Sequence, residues 1–464
     1  MLKPMMAAVV VSAGLLGALP ASTAAAQGIS AEEAAALRAE IQRLKADLTR
    51  LEARLPEGGT ALPTPPASAP AAQTAAAPAP APATTTQWKG APQFVSEDRA
   101  FKVKGRVQAD AAYVSAPGGT GDRGLGFSTE MRRIRLGGEG RLGDGFGYKL
   151  EVELSDNDVE LVDAFISYEK NAWLLQVGNQ NQFQSLDELT GDSSGSFMER
   201  AAFTDAFNFE RRLGISAQYR KGAMLLQAGI FADDISALSN SSDGPEGGDE
   251  NNSFSLDGRG VYAPELGDTR LHLGASAHWR KLNRIEETPV RYRQRPLVHA
   301  SNSRFLATPN LPVSRELNYG LELAAIRGPW HMAAETHWLK AFRPGASDPS
   351  FFGAYAEVGY YLTGESRPYK NGLFGTAAPA RPLGEGGIGA VQVNLRYDHL
   401  GLNDRDVRGG KQDAYLASLI WTPVNYLRLN LNYGYLDYRD SAIPANGRTN
   451  YGAHVFGSRI ELDF

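Results

Sequence analysis

From Trp88 to the C-terminus, apolar and polar residues alternate with a period of two, in runs broken by clusters of Gly, Asn, Asp or Pro. That is the pattern of strands with one apolar and one polar face. In the first run Phe101, Val103, Val107, Ala109, Ala111 and Tyr113 share one parity, and Lys102, Lys104, Arg106, Gln108 and Asp110 share the other. A later run sets Leu271, Leu273, Ala275, Ala277 and Trp279 against Arg270, His272, Ser276, His278 and Arg280. Another sets Val391, Val393, Leu395 and Tyr397 against Gln392, Asn394, Arg396 and Asp398. The spacing predicts sixteen strands, near 101–113, 130–142, 146–154, 160–168, 172–180, 212–220, 223–231, 257–263, 269–280, 315–326, 330–338, 352–363, 388–398, 411–421, 426–436 and 454–464.

An even number of strands, most of them long enough to cross a bilayer at a tilt, predicts an all-β fold: a 16-stranded antiparallel transmembrane β-barrel over residues 93–464. The last run agrees, with Phe456, Ile460, Leu462 and the terminal Phe464 on one face and Arg459, Glu461 and Asp463 on the other. A soluble sandwich would bury its apolar parity and would not need to charge the other so steadily. One connection, Gly364 to Gly387, is longer than the short turns expected at that end of the barrel.

Three segments precede the barrel. Residues 1–26 combine Lys3, an apolar run from Met5 to Leu19 and small residues up to Ala26, the layout of a cleaved signal peptide. Residues 27–56 carry a heptad seam, with Leu37, Leu44 and Leu51 at one position and Ala34, Ile41, Leu48 and Leu55 at the other, which predicts a short N-terminal coiled-coil helix. Residues 57–92 are rich in Pro, Ala and Thr and read as a semi-extended linker.

Composition narrows the chemistry. The chain has no cysteine, so disulfides, thiol nucleophiles and thiolate metal ligands are excluded. Its net charge of −5 gives no footprint for nucleic acid. No nucleotide fingerprint or nucleophile elbow appears, so neither a cofactor nor enzyme activity is expected. The seven histidines are scattered, and no metal site is expected.

If the apolar parity faces lipid, the polar parity lines a lumen wide enough for water. On the first three strands Lys102, Lys104, Arg106, Arg133, Arg135, Arg141 and Lys149 fall on that parity, a basic stripe to which Arg220, Arg270, Arg280, Arg396, Arg428 and Arg459 could add. Guanidinium groups hold carboxylate or phosphate through paired hydrogen bonds, and a ladder of them lets an anion step onward. These residues could instead pair with acidic neighbours to keep the barrel round. The roughly 30 residues from Asn181 to Arg211, with Arg200, Arg211 and Arg212, form a loop too long and too apolar to stay in solvent. It is expected to fold into the lumen and constrict it.

At Arg132-Arg-Ile-Arg-Leu-Gly-Gly-Glu-Gly-Arg-Leu, Tyr148-Lys-Leu-Glu-Val-Glu, Val159-Glu-Leu-Val-Asp-Ala-Phe and Phe197-Met-Glu-Arg the chain resembles the phosphate-selective porin O and P family. Tyr361-Leu-Thr-Gly-Glu-Ser-Arg, Asn394-Leu-Arg-Tyr and Leu427-Arg-Leu-Asn-Leu-Asn-Tyr are similar to its later signatures. The resemblance implies a trimeric outer-membrane channel with an arginine ladder. Arg133, Arg135 and Arg141 would be ladder candidates, and Arg200, Arg211 and Arg212 would belong to the constriction loop. A lysine expected near Asn181 is absent, a departure that bears on phosphate selectivity. The expected function is therefore passive diffusion of small anions, phosphate or polyphosphate, through the outer membrane. A general or weakly selective porin, and an envelope tether using the coiled coil, are the alternatives. The partners expected are two further copies in a homotrimer, outer-membrane lipids and lipopolysaccharide, and the anionic solutes themselves.

Overall fold

The computed structural model describes residues 42, 43, 45, 84–115, 117–155, 157–232, 235, 253–283 and 289–464. The signal peptide at 1–26 lies outside the described residues, as do the linker up to residue 83 and all but three residues of the predicted coiled coil, which are helical. Residues 85–95, partly read as linker, instead form a β-hairpin of Thr85–Trp88 against Pro92–Val95. Gly90, at a φ of 79°, supplies the turn, and the hairpin extends the sheet through Gln93, Phe94 and Val95.

Sixteen long strands follow: β1 Arg99–Val114, β2 Gly126–Gly143, β3 Phe146–Glu153, β4 Glu160–Lys170, β5 Trp173–Asn181, β6 Arg211–Lys221, β7 Met224–Phe231 and β8 Ser253–Tyr262. The second half comprises β9 Thr269–Leu282, β10 Arg315–Arg327, β11 Trp330–Phe342, β12 Ser350–Tyr361, β13 Ala390–Asp404, β14 Val407–Val424, β15 Leu427–Arg439 and β16 Tyr451–Asp463. Each pairs antiparallel with its neighbours, and β16 closes on β1 from Val455↔Val114 to Asp463↔Arg106. Every predicted strand is present, and most run further than the alternation suggested.

Closure leaves the backbone of these strands paired on both sides, which is what lets a sheet sit in hydrocarbon. The outward parity is apolar and exposed, with Leu136, Ile166, Val177, Ile215, Ile230, Leu321, Leu395 and Leu431 among it. Cross-strand aromatic pairs mark a belt near one end, as in Phe146–Tyr168 at 4.8 Å, Trp173–Tyr219 at 5.0 Å and Trp330–Tyr360 at 4.5 Å. Towards the other end lie Tyr319–Trp338 at 5.3 Å and Tyr397–Tyr415 at 5.5 Å.

The first end carries the tight turns and the C-terminus, so it is the periplasmic end. Asp144 and Gly145, at φ of 52° and 86°, make the turn from β2 to β3 that a right-twisted hairpin needs. The long 362–389 connection also lies at this end, so the oddity seen in the sequence is real and no strand was miscounted. It turns inward instead of hanging free. Arg367 donates to Ser196 Oγ at 2.9 Å and to the Ser194 carbonyl at 2.8 Å, and Tyr369 Oη meets His272 Nδ1 at 2.6 Å.

The predicted constriction loop, 182–210, crosses the lumen. Wall carboxylates fasten it. Glu335 accepts the Leu186 and Asp187 N–H groups at 2.9 and 2.7 Å, where the short helix α1 (Leu186–Leu189) begins, and Asp398 accepts Ala202 N–H at 3.0 Å, at the start of α2 (Ala202–Ala206). Phe203 then packs with His337 and Tyr355 of the wall and Phe209 with His337, and Phe207 packs against both phenylalanines. Residues 289–314 lie over this cluster and add Tyr292, Phe305, Leu306 and Leu311 to the same core. The lumen is therefore not water-lined all round, as alternation alone suggested. On β11 to β15 the inward residues Leu339, Ala341, Phe351, Leu400, Leu402 and Tyr438 are buried under the loops.

Candidate functional site

Open volume remains beside β2 to β4 and, nearer the C-terminal strand, between β1 and β14 to β16. An outer cavity of about 430 Å³ is bordered by Arg132, Arg133, Arg135, Arg200, Arg211 and Arg295. Eight carboxylates border it too, among them Glu153, Glu188, Asp192 and Glu199. A second cavity of about 440 Å³ opens at the periplasmic end, bordered by Lys102, Lys104 and Arg428 and by Glu461 and Asp463. The short turn Asp192–Ser194 stands between them, since Asp192 borders the outer cavity and Ser193 the inner one.

Four of the predicted basic residues meet at this turn. Arg106, Arg133 and Arg135 come within 3.3, 3.0 and 3.2 Å of Asp192, and Arg200 reaches its other oxygen at 2.7 Å. Each arginine has a second anchor. Arg106 pairs with Asp463 at 2.8 Å, Arg133 donates to Gln108 at 2.8 Å, and Arg135 pairs with Glu153 at 2.8 Å. Arg200 lies 3.4 Å from Glu188 on α1. Burial pushes the Glu188 carboxyl up to about 7, against the pull of Arg200. Asp192 is also buried, yet the surrounding guanidinium groups hold its carboxyl well below the usual range.

The other predicted residues are distributed differently. Lys102 and Lys104 border the inner cavity, Lys104 lying 3.3 Å from Glu139, while Arg141 is exposed near the periplasmic end of β2. Lys149 is engaged by Glu151 at 3.2 Å and by Asp163, so it stiffens the wall instead of offering a free charge. Arg220 and Arg270 sit near the periplasmic ends of their strands, the first 3.8 Å from Glu169 and the second paired with Glu265. Arg211 and Arg212 open β6 and are not part of the loop proper, because ladder pairing with Asn181 and Gln180 of β5 already begins there. Arg211 borders the outer cavity and pairs with Asp163 at 2.8 Å; Arg212 is buried against Glu210 at 3.0 Å.

Strict alternation missed Arg132. A register shift opposite Gln108 and Ala109 inserts one extra residue in β2, so Arg132 and Arg133 both turn inward. Arg132 then pairs with Glu199 at 3.2 Å. The doubled arginine, breaking the polar-apolar rhythm, was the signal available in sequence. Arg295 and Arg367 were missed because they come from connections that fold back into the barrel. Arg396, Arg428 and Arg459 fasten the loop: Arg459 pairs with Asp110 at 2.7 Å and Glu199 at 2.6 Å, and Arg428 donates to the Gly195 carbonyl at 2.9 Å.

The family model described as phosphate-selective porin O and P matches residues 101–464. A protein of Caulobacter vibrioides recorded as uncharacterized is 58% identical over 479 residues, covering 100% of this chain and 97% of its own length. Porin O of Pseudomonas aeruginosa is 28% identical over 398 residues, 74% of this chain and 85% of that protein. Among solved structures, OmpT, an outer membrane protein of Vibrio cholerae, superposes with a TM-score of 0.50 at 10% identity, over 80% of this chain and 99% of its own. An anion-selective porin from Comamonas acidovorans gives 0.48 at 14% identity, over 79% and 100%. At 10% identity the likeness to OmpT speaks to the barrel alone.

Proposed function

Since the chain belongs to the phosphate-selective porin O and P family and is an outer-membrane porin, we propose that it carries small anions, phosphate and related oxyanions among them, by passive diffusion along its β1 to β4 wall. The observation that supports this most is the convergence of Arg106, Arg133, Arg135 and Arg200 on one point beside the open volume. Fixed guanidinium groups replace part of an anion's hydration shell, and a series of them lets it advance without a deep trap. Lys102 and Lys104 would continue the path to the periplasmic mouth.

A second reading has its own support. The outer cavity has more carboxylates than arginines, which suits a weakly selective porin whose charges cancel at short range. Reversal potential across a planar bilayer under a KCl gradient separates the two readings. Chloride preference, with current reduced by added phosphate, supports the oxyanion path; potassium preference or no preference leaves a general porin.

Export through a cleaved signal peptide at 1–26 and assembly as a homotrimer aided by the helix at 27–56 belong to the same proposal, as does an outer rim that meets lipid and lipopolysaccharide. Deleting residues 30–55 and measuring the oligomer in detergent tests the helix's part. A tether function for the helix gains if the assembly and the conductance are both unchanged.

A further inference from the structure

A carboxylate of the protein itself occupies the place where the arginines converge. Asp192 Oδ2 lies near Arg106 Nη1, Arg133 Nε and Arg135 Nη1, at 3.3, 3.0 and 3.2 Å, and its Oδ1 is 2.7 Å from Arg200 Nη2. The cluster does not need Asp192 to keep its shape, because each arginine is anchored elsewhere. For Arg133 that anchor, Gln108, is neutral, so this charge is met most closely by Asp192. A single carboxylate also underserves the cluster. The buried Nε of Arg106 has no hydrogen-bond acceptor among the described residues, and that of Arg133, though close to Asp192, is poorly aligned for a hydrogen bond. On the far side Thr376 Oγ1 donates to the Ser193 carbonyl at 2.7 Å and Arg428 to the Gly195 carbonyl at 2.9 Å, which fixes the turn with Asp192 presented to the arginines.

We propose that Asp192 is a tethered counter-ion that sets the channel's hold on oxyanions, a specificity determinant that rests on the oxyanion-path reading above. With its carboxylate in place, a diffusing phosphate must compete for guanidinium groups already partly engaged, so it passes without being retained. With that charge removed, the same arginines would form an oxyanion site with more donors than a carboxylate can satisfy.

The test uses the full-length channel in a planar bilayer, with inorganic phosphate titrated against chloride current for wild type, Asp192→Asn and Asp192→Glu. Asp192→Asn is expected to lower the blocking phosphate concentration by at least about tenfold, the worth of one charge-assisted hydrogen bond. Asp192→Glu should stay near wild type, and adding Arg133→Ala to Asp192→Asn should remove the gain. Should Asp192→Asn not assemble, Asp192→Ser takes its place with the same expectation. An open channel whose phosphate block is unchanged on loss of the charge, or a gain that survives Arg133→Ala, overturns the proposal. The two readings fail separately: a cation-preferring wild type refutes the oxyanion path, whereas an anion-preferring wild type with an unaltered Asp192→Asn refutes only the role of Asp192.

Discussion

Two walls of one barrel present the same apolar face to lipid and treat the lumen in opposite ways. On β1 and β2 the inward side chains include Lys104, Arg106, Arg133 and Arg135, which border the two cavities or the turn between them. On β11 to β13 they include Leu339, Phe351 and Leu400, which are buried beneath loops. The difference is one of desolvation. Apolar inward residues gain by excluding water and can be covered by Phe203, Phe207 and Phe209, whereas an arginine is dried only where a carboxylate pairs with it, as Glu357 does with Arg396 at 2.6 Å. The loop therefore seats itself on the wall whose apolar residues it covers and whose Glu335, Arg396 and Asp398 hold it, and any path for solute is left on the other.

The comparison can be broken most severely at the apolar seat. A Cβ on Gly353 would collide with Phe203, so Gly353→Val should unseat the loop, and Phe203→Ala should weaken its packing by about 3–5 kcal/mol. Both variants should raise single-channel conductance severalfold, and an unchanged conductance would mean that the aromatic cluster does not hold the constriction. On the charged wall, the pair Arg133→Ala and Arg135→Ala should move the chloride-to-potassium permeability ratio toward potassium by roughly tenfold, about 1.4 kcal/mol. Reversal potentials measure this directly, and a ratio that does not move would remove these arginines from the path.

A gentler handle is pH. Because burial raises the Glu188 carboxyl to about 7 from the roughly 4.3 of a free side chain, its stability contribution is fully present below the unfolded value and is lost as pH rises through the folded one. Between these values the group is mostly neutral in the lumen, so anion preference should be greater at pH 6 than at pH 8. Glu188→Gln should abolish that difference; if it persists in the variant, another group is responsible. The smallest change is expected at the mouth, where Lys102→Gln should lower chloride conductance slightly at low salt and hardly at all at 1 M, because salt screens a charge that water reaches.

Much of this architecture was legible beforehand because alternation reports a local property. Each strand must turn one parity to lipid wherever it lies in the sheet, so Leu271 to Trp279 or Val391 to Tyr397 could be assigned without knowing their neighbours. The long loop could be expected to enter the lumen because Phe197, Met198 and Phe203 to Phe209 are costly to leave in water. What escaped were features decided by two segments at once. Arg132 turns inward through a bulge defined by pairing with β1, and Lys149 is neutralised by Asp163 from the neighbouring strand β4.

By itself, then, the sequence determined the barrel, its strand count and the parity that meets lipid, since a period of two acts residue by residue. Only the tertiary structure decided which wall the loops cover and which stays open, that the 362–389 connection folds inward to engage Ser194 and Ser196, and that Asp192 stands among four arginines. Those outcomes depend on groups from distant parts of the chain, such as Arg106 and Asp192 at 86 residues' separation, competing for one enclosed volume, where the cost of burying a charge depends on every partner within reach.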